Sequence, residues 1–163
     1  MSTPDPMNHG AVEASRQIAA PRQVVYDAWT ALEHRRQWFV GPAWTEIERS
    51  VDLRVGGTEI AHGRFADGTE SIYTARYHLI EPAVRLIYAF DMHVAGSHFS
   101  VSLAGVEFED SLGGTKLTYT EQGFFLQGDY DHTSRDKGTQ GLLDQFVTHV
   151  STLTARPGQR VSP

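Results

Sequence analysis

Cysteine is absent from the 163 residues, which removes disulfides, thiolate nucleophiles and zinc–thiolate sites together. Long apolar runs are missing as well. The longest clean one is Leu86–Phe90, far short of the ~20 residues that span a bilayer. Basic residues are in deficit, 14 Lys and Arg against 20 Asp and Glu, for a formal net charge of -6. A field of that sign repels phosphate backbones and anionic lipid, so neither nucleic acid nor a membrane is an expected partner. Residues 1–10 contain no basic stretch followed by an apolar one, so no signal peptide is read and a cytoplasmic protein is expected. What is present is ordinary globular material, 40% hydrophobic and 21% charged. The length suits one domain that buries roughly 68–70% of its unfolded surface.

Residues 1–10 and 155–163 carry Pro and Gly without apolar periodicity and read as a disordered N-terminal segment and a flexible tail around one domain, 11–154. Val12–Ala20 reads as a strand. Pro21 suits a helix start, because its missing N–H would be unpaired there, and Val24, Val25, Ala28 and Trp29 supply a helical stripe. Thr30 and Glu33 fit a capping box opening a second short helix, Ala31–Trp38, ended by Gly41-Pro42. From Trp44 to Glu121 the period becomes strand-like. Asp67-Gly68 marks a hairpin, Glu81-Pro82 breaks the next pair, and Gly113-Gly114 separates the last two strands. The apolar phase slips between Phe99-x-Val101-x-Leu103 and Val106-x-Phe108, which predicts a β-bulge at Ala104-Gly105 and a bent sheet. After a loop, Gly123–Asp131, a final helix spans about Ser134–Leu153, capped by Thr133 and Asp136. Its buried stripe is Leu142, Phe146, His149, Val150 and Leu153. A long helix against a curved antiparallel sheet leaves space between them unless large side chains fill it.

The sequence resembles the activator-of-Hsp90-ATPase-like proteins, within the START/Bet v 1-like (SRPBCC) group of helix-grip domains. The resemblance runs from about Ser15 to Val150. It rests on Ile18-Ala-Ala-Pro21, Val24-Val25, Ala28-Trp-Thr30, Trp38-Phe-Val-Gly-Pro42, Asp52-Leu-Arg-Val-Gly-Gly57, Asp67-Gly68, Glu81-Pro82 with Arg85-Leu86, and Gly114-Thr-Lys-Leu-Thr-Tyr-Thr120. It implies an α+β helix-grip fold, a curved antiparallel sheet wrapped around a long C-terminal helix, with two short helices after the first strand. It also implies a cavity for small apolar molecules; some members act on polyketide-like substrates. Two positions depart from the family pattern. Phe39 stands where a Trp is usual, and Gly141-Leu142 replaces Gly-Trp, so the upper cavity should be reshaped.

Strand alternation turns Tyr73, Ala75, Tyr77 and Leu79 to one face, assigned inward, with Leu86, Tyr88, Phe90, Phe99 and Val101 as further inward candidates. Such aromatics suit a filled core and an apolar pocket equally well. Leu117, Tyr119 and Glu121 share one phase. Either Glu121 therefore faces the cavity, where an inward carboxylate needs a partner or a raised pKa, or the strand ends first and Glu121 is solvated. Relatives often carry His at this position. Glu59 poses the same alternative: Glu59, Ala61 and Gly63 face in, or Ile60, His62 and Arg64 do. If both carboxylates faced the cavity, a catalytic pair would become available. His149, on the helix stripe, is either a bonded core histidine or a functional group. Phe124 and Phe125 either gate the cavity or pack under the helix start, and Gly138 and Gly141 soften its first turns.

The eight histidines form no compact ligand pattern, His93 and His98 being a lone spaced pair, so no metal and no cofactor are expected. The candidate ligand-binding set is Trp29, Tyr73, Tyr77, Tyr88, Phe90 and Phe99, with Tyr119, Glu121, Phe125, Leu142, Phe146, His149 and Val150. Glu121, His149 and Glu59 are the weak catalytic candidates. Binding of a small hydrophobic or aromatic molecule is the first expectation, ahead of catalysis. A cofactor-independent cyclase, dehydratase or hydrolase using those acid and base groups comes second. A co-chaperone-type module using the outer sheet face comes third, and a homodimer is compatible with the sequence.

Overall fold

The structure, a computed structural model, describes residues 3–4 and 7–155. The chain runs β1 (Asn8–Ile18), α1 (Arg22–Thr30), α2 (Leu32–Trp38), β2 (Thr45–Val51), β3 (Thr58–Arg64), β4 (Glu70–Glu81), β5 (Arg85–Val94), β6 (Ser97–Ser111), β7 (Gly114–Phe125) and α3 (His132–Thr154). The strands form one antiparallel sheet in the order β1-β7-β6-β5-β4-β3-β2. The chain therefore crosses from one sheet edge to the other through α1 and α2. These two helices and α3 cover the concave face, and the expected α+β helix-grip architecture is what the chain adopts.

Several local expectations are corrected. β1 begins at Asn8, so Asn8, His9 and Gly10 pair with Phe125, Phe124 and Gly123 instead of fraying. Most of the expected C-terminal tail, 156–163, lies outside the described residues, as do 1–2 and 5–6 of the N-terminal segment. The capping box does not form: the Thr30 hydroxyl donates to the Tyr26 carbonyl, and Ala31 caps α2 without a side-chain bond. At α3 the cap is Asp131, whose carboxylate accepts from the Ser134 N–H at 3.1 Å, two residues before the expected Thr133.

β6 carries no bulge at Ala104-Gly105, since its pairing with both neighbours runs through that point unbroken. Its inward set is Ser100, Ser102, Ala104, Val106 and Phe108, while Val101 and Leu103 face outward, 40% and 49% exposed. Apolar periodicity misassigned this half-strand because its inward serines serve a buried arginine of α3. The sheet's irregularities fall instead at Glu46/Glu48, Tyr77/Leu79 and Met92/His93. The second of these carries Leu79 out of the phase of Tyr73, Ala75 and Tyr77, leaving it half-buried. The hairpin at Asp67-Gly68 forms as expected, with Gly68 at φ 90° and the Asp67 carboxylate accepting from the Thr69 N–H.

Along α3 the buried positions are Arg135, Thr139, Leu143, Phe146 and Val150. This is a regular stripe of 3.6-residue period, with Leu142 and His149 on its flanks rather than its centre. The core it closes is unusually aromatic, with Trp29, Trp38 and Phe146 in mutual contact at 4.8–5.1 Å between ring centroids.

Candidate functional site

Between α3 and the concave face lies a hollow of about 220 Å³. β4 contributes Tyr73, β5 contributes Tyr88, Phe90 and Met92, and β7 contributes Tyr119 and Glu121. Trp29, Arg35, Trp38 and Phe39 form one wall; Tyr130, Arg135, Gly138, Thr139, Leu142 and Leu143 form the roof. The register explains why space survives here. Inward aromatics sit opposite small side chains, Phe90 beside Ala75 and Tyr88 beside Ala104, so the concave face is uneven. A second hollow, of about 390 Å³, is lined in part by Val40, Pro42, Trp44, Phe65 and Gln145. It shares Phe39, Tyr73, Met92, Gly138 and Leu142 with the first. Phe39 and Leu142, the two positions singled out from the sequence as reshaping the upper cavity, thus lie on the common boundary of the two spaces.

Two buried ion pairs border the inner hollow. Arg135, on the α3 stripe, donates from Nη1 to Glu121 at 2.6 Å, from Nη2 to Ser100 at 2.8 Å and from Nε to the Tyr130 hydroxyl at 3.1 Å. Glu121 also accepts from the Tyr119 hydroxyl at 2.6 Å and from Ser102 at 3.1 Å. It is 2% exposed, so the strand does not end before it. Glu59 is equally buried, which selects the Glu59, Ala61, Gly63 phase as the inward one. It is held by Arg35 Nε and by the Tyr77 hydroxyl. Arg35 is fixed further by donating to the Trp29 carbonyl at 2.9 Å and by lying over the Phe39 ring at 4.2 Å. Burial, the largest influence, lowers the pKa of each arginine, but the adjoining carboxylate and the neighbouring tyrosines together more than offset it, so both shift upward and stay charged. Burial pushes the hydroxyls of Tyr73, Tyr77, Tyr88 and Tyr119 up, which keeps them neutral donors. Each carboxylate has its own arginine, so Glu59 and Glu121 stand as two separate ion pairs rather than one carboxylate pair.

Of the residues singled out from sequence, Trp29, Tyr73, Tyr88, Phe90, Tyr119, Glu121 and Leu142 converge on the inner hollow. Tyr77, Phe146 and Val150 are core residues away from its lining. Phe99 is half-buried and packs against Tyr130 outside the lining, as the residue of β6 left without a partner on β5 where the register shifts at Met92/His93. Phe125 packs beneath Arg135, at 5.0 Å, and Phe124 lies on the outer face against His9, so neither gates the hollow. His149 points toward α2, where its Nε2 meets His34 Nδ1 at 2.9 Å. Its pKa is lowered by burial and by His34. Gly138 and Gly141 have open space where a Cβ would stand, so they are not sites of close helix approach.

The sequence reading missed Arg35 and Arg135, the two cations that organise the lining. The signal was present. Arg135 lies one and two turns before Thr139 and Leu143, and Arg35 lies three residues before Trp38, so both follow their helices' buried faces. Among the described residues no group of three or more His, Asp or Glu side chains is placed to hold a metal ion. No described helix is long and apolar enough to cross a membrane.

A curved antiparallel sheet, a long closing helix and a hollow between them define the helix-grip class. Within it, the family described as Activator of Hsp90 ATPase homolog 1-like protein matches residues 19–151, and the chain belongs to that family. It is similar to an uncharacterised Rhizobium leguminosarum protein of known structure, 37% identical with a TM-score of 0.85, over 91% of this chain and 99% of that one. A protein from Rhizobium loti is 31% identical with a TM-score of 0.79, over 88% and 99% of the two chains. One from Chromobacterium violaceum, 20% identical with a TM-score of 0.73 over 86% and 96%, shares the fold. No curated protein matches the chain.

Proposed function

We propose that this protein binds a small hydrophobic or aromatic molecule in the hollow between α3 and the sheet. The observation that carries the proposal is a lining dominated by Trp29, Trp38, Phe39, Tyr73, Tyr88 and Phe90 around about 220 Å³. A cavity of ~150 Å³ in another protein suffices to take up benzene. A guest hiding ~200 Å² of apolar surface gains about 5 kcal/mol before the cost of association. Exposed Gly138 and half-buried Leu142, shared with the outer hollow, mark the way in.

Catalysis is the weaker reading, because the oxygens of Glu121 are already engaged by Arg135, Tyr119 and Ser102. A co-chaperone role would use the outer face, where Val101, Leu103 and Phe124 are exposed; stimulation of an Hsp90 ATPase is its direct assay.

A thermal-shift panel of one- and two-ring aromatic compounds tests the binding reading. A ligand at 100 times its Kd should stabilise the fold by about 2.7 kcal/mol. Leu142→Trp, which places an indole in the hollow, should abolish that shift without unfolding the protein. No stabilisation by any compound, together with no small molecule retained in native mass spectrometry, would remove the proposal.

A further inference from the structure

Resting on the receptor reading, we propose that the guest carries a neutral carbonyl-type acceptor and that Arg35 and Tyr73 anchor it. The lining is apolar in most places, yet several of its donors make no hydrogen bond within the described residues, and two of these, Arg35 Nη2 and the Tyr73 hydroxyl, flank the same Phe39 ring. Arg35 spends Nε on Glu59 and Nη1 on the Trp29 carbonyl, which leaves Nη2. The Tyr73 hydroxyl makes no hydrogen bond, although the residue is 6% exposed. The other polar lining groups that have partners spend them inside the protein. Tyr119 donates to Glu121, Trp38 donates to the Ala28 carbonyl, and Tyr130 accepts from Arg135.

The two spare donors belong together. The Arg35 guanidinium lies 4.2 Å from the centre of the Phe39 ring, and the Tyr73 ring centroid lies 4.9 Å from the same ring. A donor that opens onto the hollow can find an acceptor there only in a guest, and an oxygen placed between these two would satisfy both. Burial holds the Tyr73 hydroxyl protonated, so it is available as a donor across the ordinary pH range.

The electrical balance selects a neutral acceptor over an anion. Arg35 is matched by Glu59 and Arg135 by Glu121, so neither lining cation lacks a counter-charge. Arg49, behind the Phe39 wall, is occupied by the Arg35 and Phe39 carbonyls, and burial and Arg35 both lower its pKa. A carboxylate guest would be stripped of water beside Glu121, and Arg49, which makes no ion pair among the described residues, lies outside the lining of the inner hollow with both Nη groups already donated to carbonyls. A ketone, ester or lactone oxygen meets the donors without that cost.

Three nearly isosteric probes separate these possibilities by calorimetry at neutral pH: acetophenone, α-methylstyrene and benzoate. Acetophenone should bind about tenfold tighter than α-methylstyrene, the hydrocarbon of the same shape, and benzoate should bind weakest. Tyr73→Phe keeps the ring and forfeits no internal hydrogen bond, so it should fold normally. It should weaken acetophenone several-fold and leave α-methylstyrene unchanged; Arg35→Lys, which keeps the charge beside Glu59, tests the second donor. Equal binding of ketone and hydrocarbon overturns the anchor while the receptor reading stands. Tightest binding by benzoate overturns the choice of a neutral acceptor. Failure of all three to bind removes the receptor reading and the anchor with it.

Discussion

Buried charge is the most consequential choice this chain makes at the level of single side chains. Glu121 and Arg135 are both removed from water, with side-chain exposures of 2% and 8%. Their attraction offsets a large desolvation cost, and the pair is weak as a source of stability but expensive to break. Arg135→Met should therefore lower stability by about 3–5 kcal/mol, since it strands the carboxylate. The double variant Arg135→Met with Glu121→Leu should recover most of that loss. Urea midpoints of the two single variants and the double variant measure the coupling; purely additive losses would show that the pair does not act as a unit. The inward phase of Glu121 was readable from Leu117 and Tyr119, but its burial was not, because alternation gives a direction and never a partner. The partner sits on α3, and recognising it required extending the helix stripe to a charged residue.

Helices and strands divide differently between what the sequence discloses and what it hides. The hairpin at Asp67-Gly68, the two short helices and the long last helix were legible because turn chemistry and 3.6-residue periodicity are local signals. Helix caps were not: the hydroxyl of Thr30 satisfies the turn behind it, and Asp131 takes the role expected of Thr133. β6 misleads because two inward serines invert the usual apolar code, so Val101, expected to face inward, lies on the outer face. Glycines on these elements behave in opposite ways. Gly138 and Gly141 face open space on α3, so replacement of either by Ala should add about 0.5–1 kcal/mol. A Cβ at Gly63 would run into the Trp44 indole, so Gly63→Ala should cost about 1–3 kcal/mol. Thermal melts of the three variants give the signs directly.

For the molecule as a whole, one part of the response to acid lies at the contact between α2 and α3. Burial first, and then His34, holds the pKa of His149 below its ordinary 6.5. The unfolded chain therefore binds a proton at higher pH than the folded one does, and stability rises with pH across that interval. The contribution is complete above about pH 6.5 and is lost as the pH falls through the lower, folded-state value. Urea midpoints measured downward from about pH 8 should show the decline, and His149→Gln should flatten it. An unchanged slope in that variant would place the acid sensitivity elsewhere.

The pairing of β1 with β7 carries a consequence for how the protein is made. Asn8 meets Phe125 and Ile18 meets Thr115, so the sheet's first strand must wait for its last. During synthesis at ~5–20 residues per second, β1 leaves the ribosome seconds before its partner exists, and closing so long a loop is intrinsically slow. Until β7 arrives, the growing end of the sheet is β6, with Val101 and Leu103 on one face and an unsatisfied backbone along its rim. That interval, rather than the finished fold, is when the chain is most open to sticking to its neighbours.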